Sequence, residues 1–368
     1  MPARSLYIHV PFCERKCNYC AFVSSVPESG ERALYLEALS AELSMRAKKH
    51  TAPLETCYIG GGTPTMLTPS QWRTLAALLE KNFAFAAGAE VTVEANPNSM
   101  SSEHLEVWKE WRVTRVSIGV QSFNDAELSL MGRVHCADEA RRAVSRALSF
   151  GFDVNADLIF GLPGQTFRSW GLSLREAAHS GLSHISLYQL TPEEGTPWES
   201  LRPEELGDGY APYRWAQWYL PKKGYAQYEI ANFARPGHES RHNINYWQNG
   251  EYIGAGPAAA GYISDRRYKN IGSLARYAEC IKSGALPEAE SETLAPEKRA
   301  REAAVLALRM SSGICAENFI KEQGLDNYRA VSAAVEKFPH ELYEKDACGI
   351  RLTKKGMRVA NMIWSDII

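Results

Sequence analysis

Tyr7-Ile8-His9-Val10-Pro11-Phe12-Cys13-Glu14-Arg15-Lys16-Cys17-Asn18-Tyr19-Cys20, near the start of the chain, decides both the fold and the chemistry. The stretch opens as a strand, Leu6–Val10, and breaks at Pro11, which cannot donate to a sheet ladder. Three cysteines follow at the spacing C-x3-C-x2-C, while Cys57, Cys136, Cys280, Cys315 and Cys348 are scattered. Thiols clustered on one loop, in a chain without a disulfide-rich composition, point to metal rather than to cross-links. Three thiolates so spaced can each take one iron of a cubane [4Fe–4S] cluster. Such clusters are usually held by four cysteines, so the fourth iron stays open to another ligand. The competing readings are a structural zinc site, with His9 as fourth ligand, or three buried thiols. The scattered cysteines read as small buried hydrophobes.

Outward from this loop, strand-like and helix-like segments alternate over the first two-thirds of the chain. Strands are expected at Leu6–Val10, Thr56–Gly60, Glu90–Ala95, Val113–Val120, Phe152–Phe160 and His184–Leu190. Helices are expected at Glu31–Lys48, Pro69–Lys81 (with Ser70 as cap), Glu103–Trp111, Ala137–Ser149 and Phe167–Ser180. Repeated β-α units imply a parallel sheet with helices packed outside it. Six of them make either an open sheet or an incomplete barrel. Beyond about residue 195 the pattern changes. Pro203–Lys223 reads as helical, Tyr225–Ala234 as extended, and Arg241–Tyr262 as an aromatic, Gly-rich loop-and-strand region. From Ser273 the chain reads as mostly helical, and Gly349–Ile368 as a short strand and a helix, the ending of a small winged-helix module. The expected division is 1–235, a connecting region 236–290, and a C-terminal domain 291–368.

Composition narrows the function classes. The chain has 368 residues, 45% hydrophobic and 23% charged, which excludes disordered, fibrous and disulfide-scaffold classes. Its 41 basic and 43 acidic residues leave a net charge of −2, so no global field draws it to nucleic acid. No apolar run approaches the roughly 20 residues of a membrane helix. The opening MPARSLYIHVPFC has no signal-peptide core. A cytoplasmic protein is expected.

The C-x3-C-x2-C spacing with Tyr19 before the last cysteine resembles the radical S-adenosylmethionine (SAM) superfamily. The resemblance implies an α/β fold, a partial (β/α)6 TIM-like barrel with its site at the C-terminal strand ends. It implies that the open iron binds the amino and carboxylate groups of SAM, and that an electron from the cluster cleaves SAM to a 5′-deoxyadenosyl radical and methionine. Gly60-Gly61-Gly62-Thr63-Pro64 ends the second strand. Its glycines let a ligand approach, and its N–H groups could hold a polar ligand group. It is similar to the superfamily's GGT motif, which holds the SAM amino group through carbonyls. Glu94-Ala95-Asn96-Pro97, Gln121-Ser122-Phe123, Gly132-Arg133-Val134-His135 and Asp157, with Gly161-Leu162-Pro163-Gly164-Gln165-Thr166, follow in order along successive units. With Tyr7 and His9 they resemble the oxygen-independent coproporphyrinogen III dehydrogenase family. By that resemblance Tyr7, Tyr19, Gly61, Gly62, Thr63, Glu94, Gln121, Arg133 and Asp157 line the SAM site, and Cys13, Cys17 and Cys20 are the metal ligands.

Within that family the chain is similar to the HemW-type heme chaperone branch. The dehydrogenases carry a further cysteine two residues after the third, where this chain has Phe22, and a longer N-terminal segment, where four residues precede Ser5 here. His242-Asn243-Ile244-Asn245-Tyr246-Trp247 reads H-N-x-x-Y-W, a pattern of the chaperones, as do the contexts Pro236–Asn243 and Tyr252–Pro257. Ala21 departs from the branch, which often has Asp there. The resemblance implies heme as a third cofactor, with His242, Asn243, Tyr246 and Trp247 at its site. A heme site also wants aromatic walls and cations for the propionates, which Arg235, Arg241, Arg266 and Arg267 could supply. The plain reading of the motif is core aromatics with a hydrogen-bonded histidine. The expected partners are a heme donor and an apo-hemoprotein acceptor such as a respiratory enzyme, and a homodimer is left open. The alternative is a radical enzyme acting on a tetrapyrrole, above all a coproporphyrinogen III oxidase. Gly254-Ala255-Gly256 lacks the third glycine and the β-α context of a dinucleotide loop.

Overall fold

Six strands alternate with helices: β1 (Ser5–Val10), α1 (Glu31–Ala47), β2 (Leu54–Gly61), α2 (Pro69–Asn82), β3 (Phe85–Ala95), α3 (Ser102–Trp111), β4 (Arg115–Gln121), α4 (Asp125–Leu130), α5 (Ala137–Ser149), β5 (Asp153–Phe160), α6 (Phe167–His179) and β6 (His184–Gln189). The computed structural model describes residues 3–50 and 52–368. Each strand pairs in parallel with the next in sequence. Ile253–Ala255 extends the sheet on the far side of β1. The order never reverses, so the units wind in one sense, as in a barrel, with no switch point in the middle of the sheet. One face of each strand is apolar and fully buried, with Ile8, Ile59, Val93, Ile118, Val154 and Ile185 among its members. The other face carries Tyr7, Tyr58, Glu94, Ser117, Asn155, Asp157, His184 and Ser186, which places the polar site inside the curve.

The chain divides into two units, residues 1–212 with 251–292, and residues 213–250 with 293–368. The stretch 236–290 read as a connecting region is therefore shared between the two. Its second half belongs with the barrel because Gly254 and Ala255 pair with Tyr7 and Ile8. That segment is pinned by a buried ion pair. The Arg46 Nε donates to Glu42 Oε1 at 2.7 Å, and the other Glu42 oxygen accepts from Gly256 N at 2.7 Å and Tyr277 Oη at 2.6 Å. Asn270 bridges Glu42 and the Gly256 carbonyl at 2.8 and 2.9 Å.

In the second unit, helix Pro296–Ala307, strand Ile314–Cys315, helices Ala316–Gln323 and Leu325–Val335, and strands Tyr343–Asp346 and Gly349–Leu352 follow one another. The last strand lies between the other two in an antiparallel sheet, which is winged-helix order. Leu308, Ile314, Phe319, Val335, Ile350 and Ile363 form its core.

Several expectations need correction. Arg241–Trp247 is a helix, not a loop, because the Ser240 side chain accepts from Asn243 N and caps it. Helix α2 is capped by Thr68, whose side chain forms a reciprocal box with Gln71, and not by Ser70. The helix α4 went unread. Of the scattered cysteines only Cys57 is buried, and Cys136, Cys315 and Cys348 are exposed. Cys136 and Cys315 precede the first turns of helices, where a chain emerges from its core.

Candidate functional site

The cysteine loop leaves β1 at its C-terminal end and returns at Ser25, whose carbonyl accepts from Cys13 N at 2.9 Å. Two of its three thiols belong to one hydrogen-bonded chain. Cys13 Sγ lies 3.4 Å from Thr63 Oγ1, and Asn96 Nδ2 donates to that hydroxyl at 3.0 Å. Arg133 donates to Asn96 Oδ1 at 2.8 Å, to the Gly119 carbonyl at 2.9 Å and to Cys17 Sγ at 3.4 Å. Burial pushes the Cys20 thiol up, and it also pushes the Tyr19 hydroxyl up. Burial works against the charge of Arg133, but Tyr19 and Cys17 outweigh it and hold the guanidinium above its ordinary value. Both nitrogens of His9 are engaged, one with Tyr7 Oη at 3.0 Å and the other with the Val23 carbonyl at 2.8 Å, so His9 offers no ligand to zinc.

This donor set fits an iron–sulfur cluster in kind. The three thiols share one loop, a guanidinium sits beside one of them, and the buried Arg133 Nε has no protein partner. Among the described residues no three His, Cys, Asp or Glu side chains are drawn together tightly enough to hold an ion.

Beside the cysteines, the strand ends build a wall of carboxylates. Glu94 accepts from Tyr58 Oη at 2.7 Å and from Gly61 N at 3.0 Å. Burial pushes its carboxyl up to about 7, with the hydrogen bond from Tyr58 opposing and nearby Asp157 adding. A side chain at Gly60 would place its Cβ 2.6 Å from the Glu94 carboxyl carbon, and Gly61 has a φ of 108° that other residues rarely adopt. The turn's N–H groups are all spent inside the protein, on Glu94, on the Val10 carbonyl at 2.8 Å from Gly62 and on the Phe12 carbonyl at 2.6 Å from Thr63. A ligand meets only carbonyls there, which corrects the expectation of free N–H donors. Tyr7 stacks on Tyr58 with centroids 6.2 Å apart.

Gln121 closes the far side. It has a φ of 65°, unusual for a residue with a side chain, and follows an irregularity in the pairing of β4 with β5. Its side-chain nitrogen would lie 2.9 Å from a Cβ on Gly119, so it folds back over the strand toward the same opening. Asp157 is raised by burial, against the hydrogen bonds that it accepts from the layer beneath it. The structure thus gathers Tyr7, Tyr19, Gly61, Gly62, Thr63, Glu94, Gln121, Arg133 and Asp157 in the barrel unit. It adds Tyr58 and Asn96, to which the sequence assigns no role of their own. Asn96 stands in the same Glu94–Pro97 motif and Tyr58 two residues before the glycines, and that proximity was the available signal.

The residues of the histidine motif lie in the second unit. His242 is buried, its Nε2 is 2.8 Å from Tyr246 Oη, and burial pushes its imidazole down to about 3. Asn243 lies in the first turn of the helix Arg241–Trp247. Trp247 lies under the Arg309 guanidinium, 4.2 Å from its ring centroid, and Arg309 pairs with the buried Glu229 at 3.4 Å. An iron at His242 Nε2 would have to replace the bond to Tyr246. Of the arginines read as propionate partners, Arg235 lies 4.8 Å over the Tyr225 ring, and Arg266 pairs with Glu288 at 2.6 Å.

A parallel sheet of sequentially wound units, with three cysteines leaving its first strand end and the carboxylates Glu94 and Asp157 on the inner face of neighbouring strands, defines a radical SAM protein. Residues 7–177 match the model of the Radical SAM superfamily. The fold is that of the coproporphyrinogen III oxidase HemN from Escherichia coli, with a TM-score of 0.87 and 24% identity over 100% of this chain and 90% of that one. The chain is 33% identical to the heme chaperone HemW of Bacillus subtilis, covering 98% of each. It is 37% identical to HemW of E. coli, over 72% of this chain and 71% of that one. The chain belongs to the HemW family. Among the described residues no helix is long and apolar enough to cross a membrane.

Proposed function

We propose that this chain is a heme chaperone that carries a [4Fe–4S] cluster and SAM in its barrel and delivers heme to an apo-hemoprotein. The observation that carries the reading is the match along 98% of both chains to a protein of that function. Phe22, at the position where the dehydrogenases have their additional cysteine, agrees with it. Cys13, Cys17 and Cys20 hold the cluster, and Arg133 balances the charge of its thiolates. Bound SAM and the cluster together would supply one-electron chemistry. The chain's own residues bind and orient: carbonyls of Gly61 and Gly62 face the ligand amine, Glu94 and Asp157 accept from its hydroxyls, and Tyr7, Tyr19, Thr63 and Gln121 fill the walls. The helix of His242, Asn243, Tyr246 and Trp247 is the heme element. Heme binding there frees His242 from Tyr246. The partners are a heme donor and an apo-hemoprotein such as a respiratory enzyme. The compartment is the cytoplasm, and a homodimer is compatible with the reading.

The test loads the anaerobically reconstituted protein with heme and mixes it with an apo-hemoprotein. Movement of the Soret band to the acceptor, without conversion of coproporphyrinogen, is the expected result. Conversion of coproporphyrinogen III to protoporphyrinogen would refute the reading and make the chain a tetrapyrrole enzyme.

A further inference from the structure

Beneath Asp157 the inner face of the barrel holds a second polar layer, built from β4, β5 and β6. Asn155, His184, Ser186 and Ser117 are all at least 95% buried. Asn155 Oδ1 accepts from Ser186 Oγ at 3.1 Å and lies 2.6 Å from His184 Nδ1. A carbonyl oxygen only accepts, so His184 carries its proton on Nδ1. The amide nitrogen of Asn155 donates to Ser117 Oγ at 2.7 Å and to Asp157 Oδ1 at 2.8 Å. Ser117 Oγ donates onward to Asp157 Oδ2 at 3.3 Å. Flipping the amide would turn its oxygen against the Asp157 carboxylate, so the orientation with NH2 toward Asp157 is the one that pairs.

We propose that Asn155 and His184 are positioning residues for the ligand-binding carboxylate Asp157. His184 and Ser186 fix the Asn155 amide, and the amide, Ser117 and Ser186 together hold the Asp157 carboxylate from below. A carboxylate has about four acceptor positions. The layer engages some of them and leaves the rest facing the strand ends, where the hydroxyls of an adenosine-type ligand would arrive. Stability alone does not account for such a layer. On the opposite face the same strands bury Val116, Val154, Ala156 and Ile185. Apolar residues of similar volume would serve a core at least as well as a buried polar network. The network costs desolvation and yields orientation.

The inference rests on the reading of the barrel as a SAM site, and the experiment separates the two. SAM affinity is measured by equilibrium dialysis on reconstituted wild type, His184→Leu, Ser186→Ala and His184→Asn, with cluster content by absorbance and iron analysis, and Tm by circular dichroism. His184→Leu removes a donor on which a charge-assisted bond depends and should weaken SAM by about tenfold or more, with full cluster content. Ser186→Ala should weaken it several-fold. His184→Asn, whose amide can place an N–H where Nδ1 was, should restore affinity to within about threefold of wild type. Should His184→Leu fail to fold, Ser186→Ala with His184→Asn decides. A fully clustered wild type that does not bind SAM overturns the SAM reading itself. Wild-type binding retained in His184→Leu and Ser186→Ala overturns only the positioning role, as does an equal loss in His184→Leu and His184→Asn.

Discussion

Glu94 offers a sharp test because its environment makes a signed, bounded prediction. The carboxyl is largely shielded from water, and burial raises it from an ordinary 4.5 to about 7 in the folded state. The unfolded chain returns it to the ordinary value. Between these two values the unfolded state has lost its proton and the folded state keeps it, so folding stability falls as pH rises. The contribution is fully present below pH 4.5, is lost as pH passes 7, and is flat beyond about pH 8. At about 1.4 kcal/mol per pH unit the whole swing is about 3 kcal/mol. Other groups move in the same window. His135 and His242 are pushed down to about 4 and about 3 by burial, and their contribution has the opposite sign, lost as pH falls below 6.5. The measurement is therefore a difference. Urea unfolding of wild type and Glu94→Gln is followed from pH 5 to 8.5. The amide also disturbs the bonds from Tyr58 and Gly61, but that offset does not depend on pH. The stability of wild type minus that of Glu94→Gln should decline by about 2.5 kcal/mol across the range, the first part of the swing being already lost by pH 5. A difference that stays level within about 0.5 kcal/mol would show that Glu94 is ionised throughout the range, and burial would then not govern its titration.

Glu42→Ala should be far more damaging than a typical substitution. It leaves the buried Arg46 and the Gly256 N–H without their carboxylate, so a loss of about 3–5 kcal/mol is expected, read as a fall in the urea midpoint. Arg46 also donates to Asn270 Oδ1 at 3.0 Å and lies 3.5 Å from Glu288, and a loss below about 1 kcal/mol would mean that these two suffice to hold it. Replacing Cys13, Cys17 and Cys20 together by Ser should abolish the iron–sulfur absorbance while moving the Tm of the metal-free protein by no more than about 2 °C, since all three thiols are partly exposed and tie down no core. His242→Phe keeps the ring volume and removes the bond to Tyr246, so it should cost about 1–2 kcal/mol of stability. If heme absorbance then persists with an unchanged Soret band, His242 is not the iron's ligand.

What could be read in advance, and what could not, follows the range of the interactions. The six β-α units were legible because strands covered by helices on one side must carry apolar residues at every second position, and short runs such as Val91, Val93 and Ala95 announce them. The glycines and acids at the strand ends were legible because each sits where a strand stops. The inner layer was passed over, although its pattern is as regular: Arg115, Ser117 and Gly119, then Asn155 and Asp157, then His184, Ser186 and Tyr188. A buried parallel strand is expected to be apolar on both faces, so polar residues at its alternate positions carry no signal of their own. The tie between Glu42 and Gly256 was out of reach altogether, since 214 residues separate the partners and nothing in the pattern around Gly256 points to Glu42. The helix Arg241–Trp247 was hidden by its own composition, which is aromatic and Asn-rich, and only the Ser240 cap marked it. One consequence follows for reading sheets of this kind. A parallel strand with period-two polarity, flanked by others with the same phase, is paying desolvation on a whole face. Here Ser117, Asn155, Asp157, His184 and Ser186 share one phase and one hydrogen-bonded layer, while Val116, Val154 and Ile185 on the other side of the same strands supply the core, so the two faces of β4 to β6 are built for different ends.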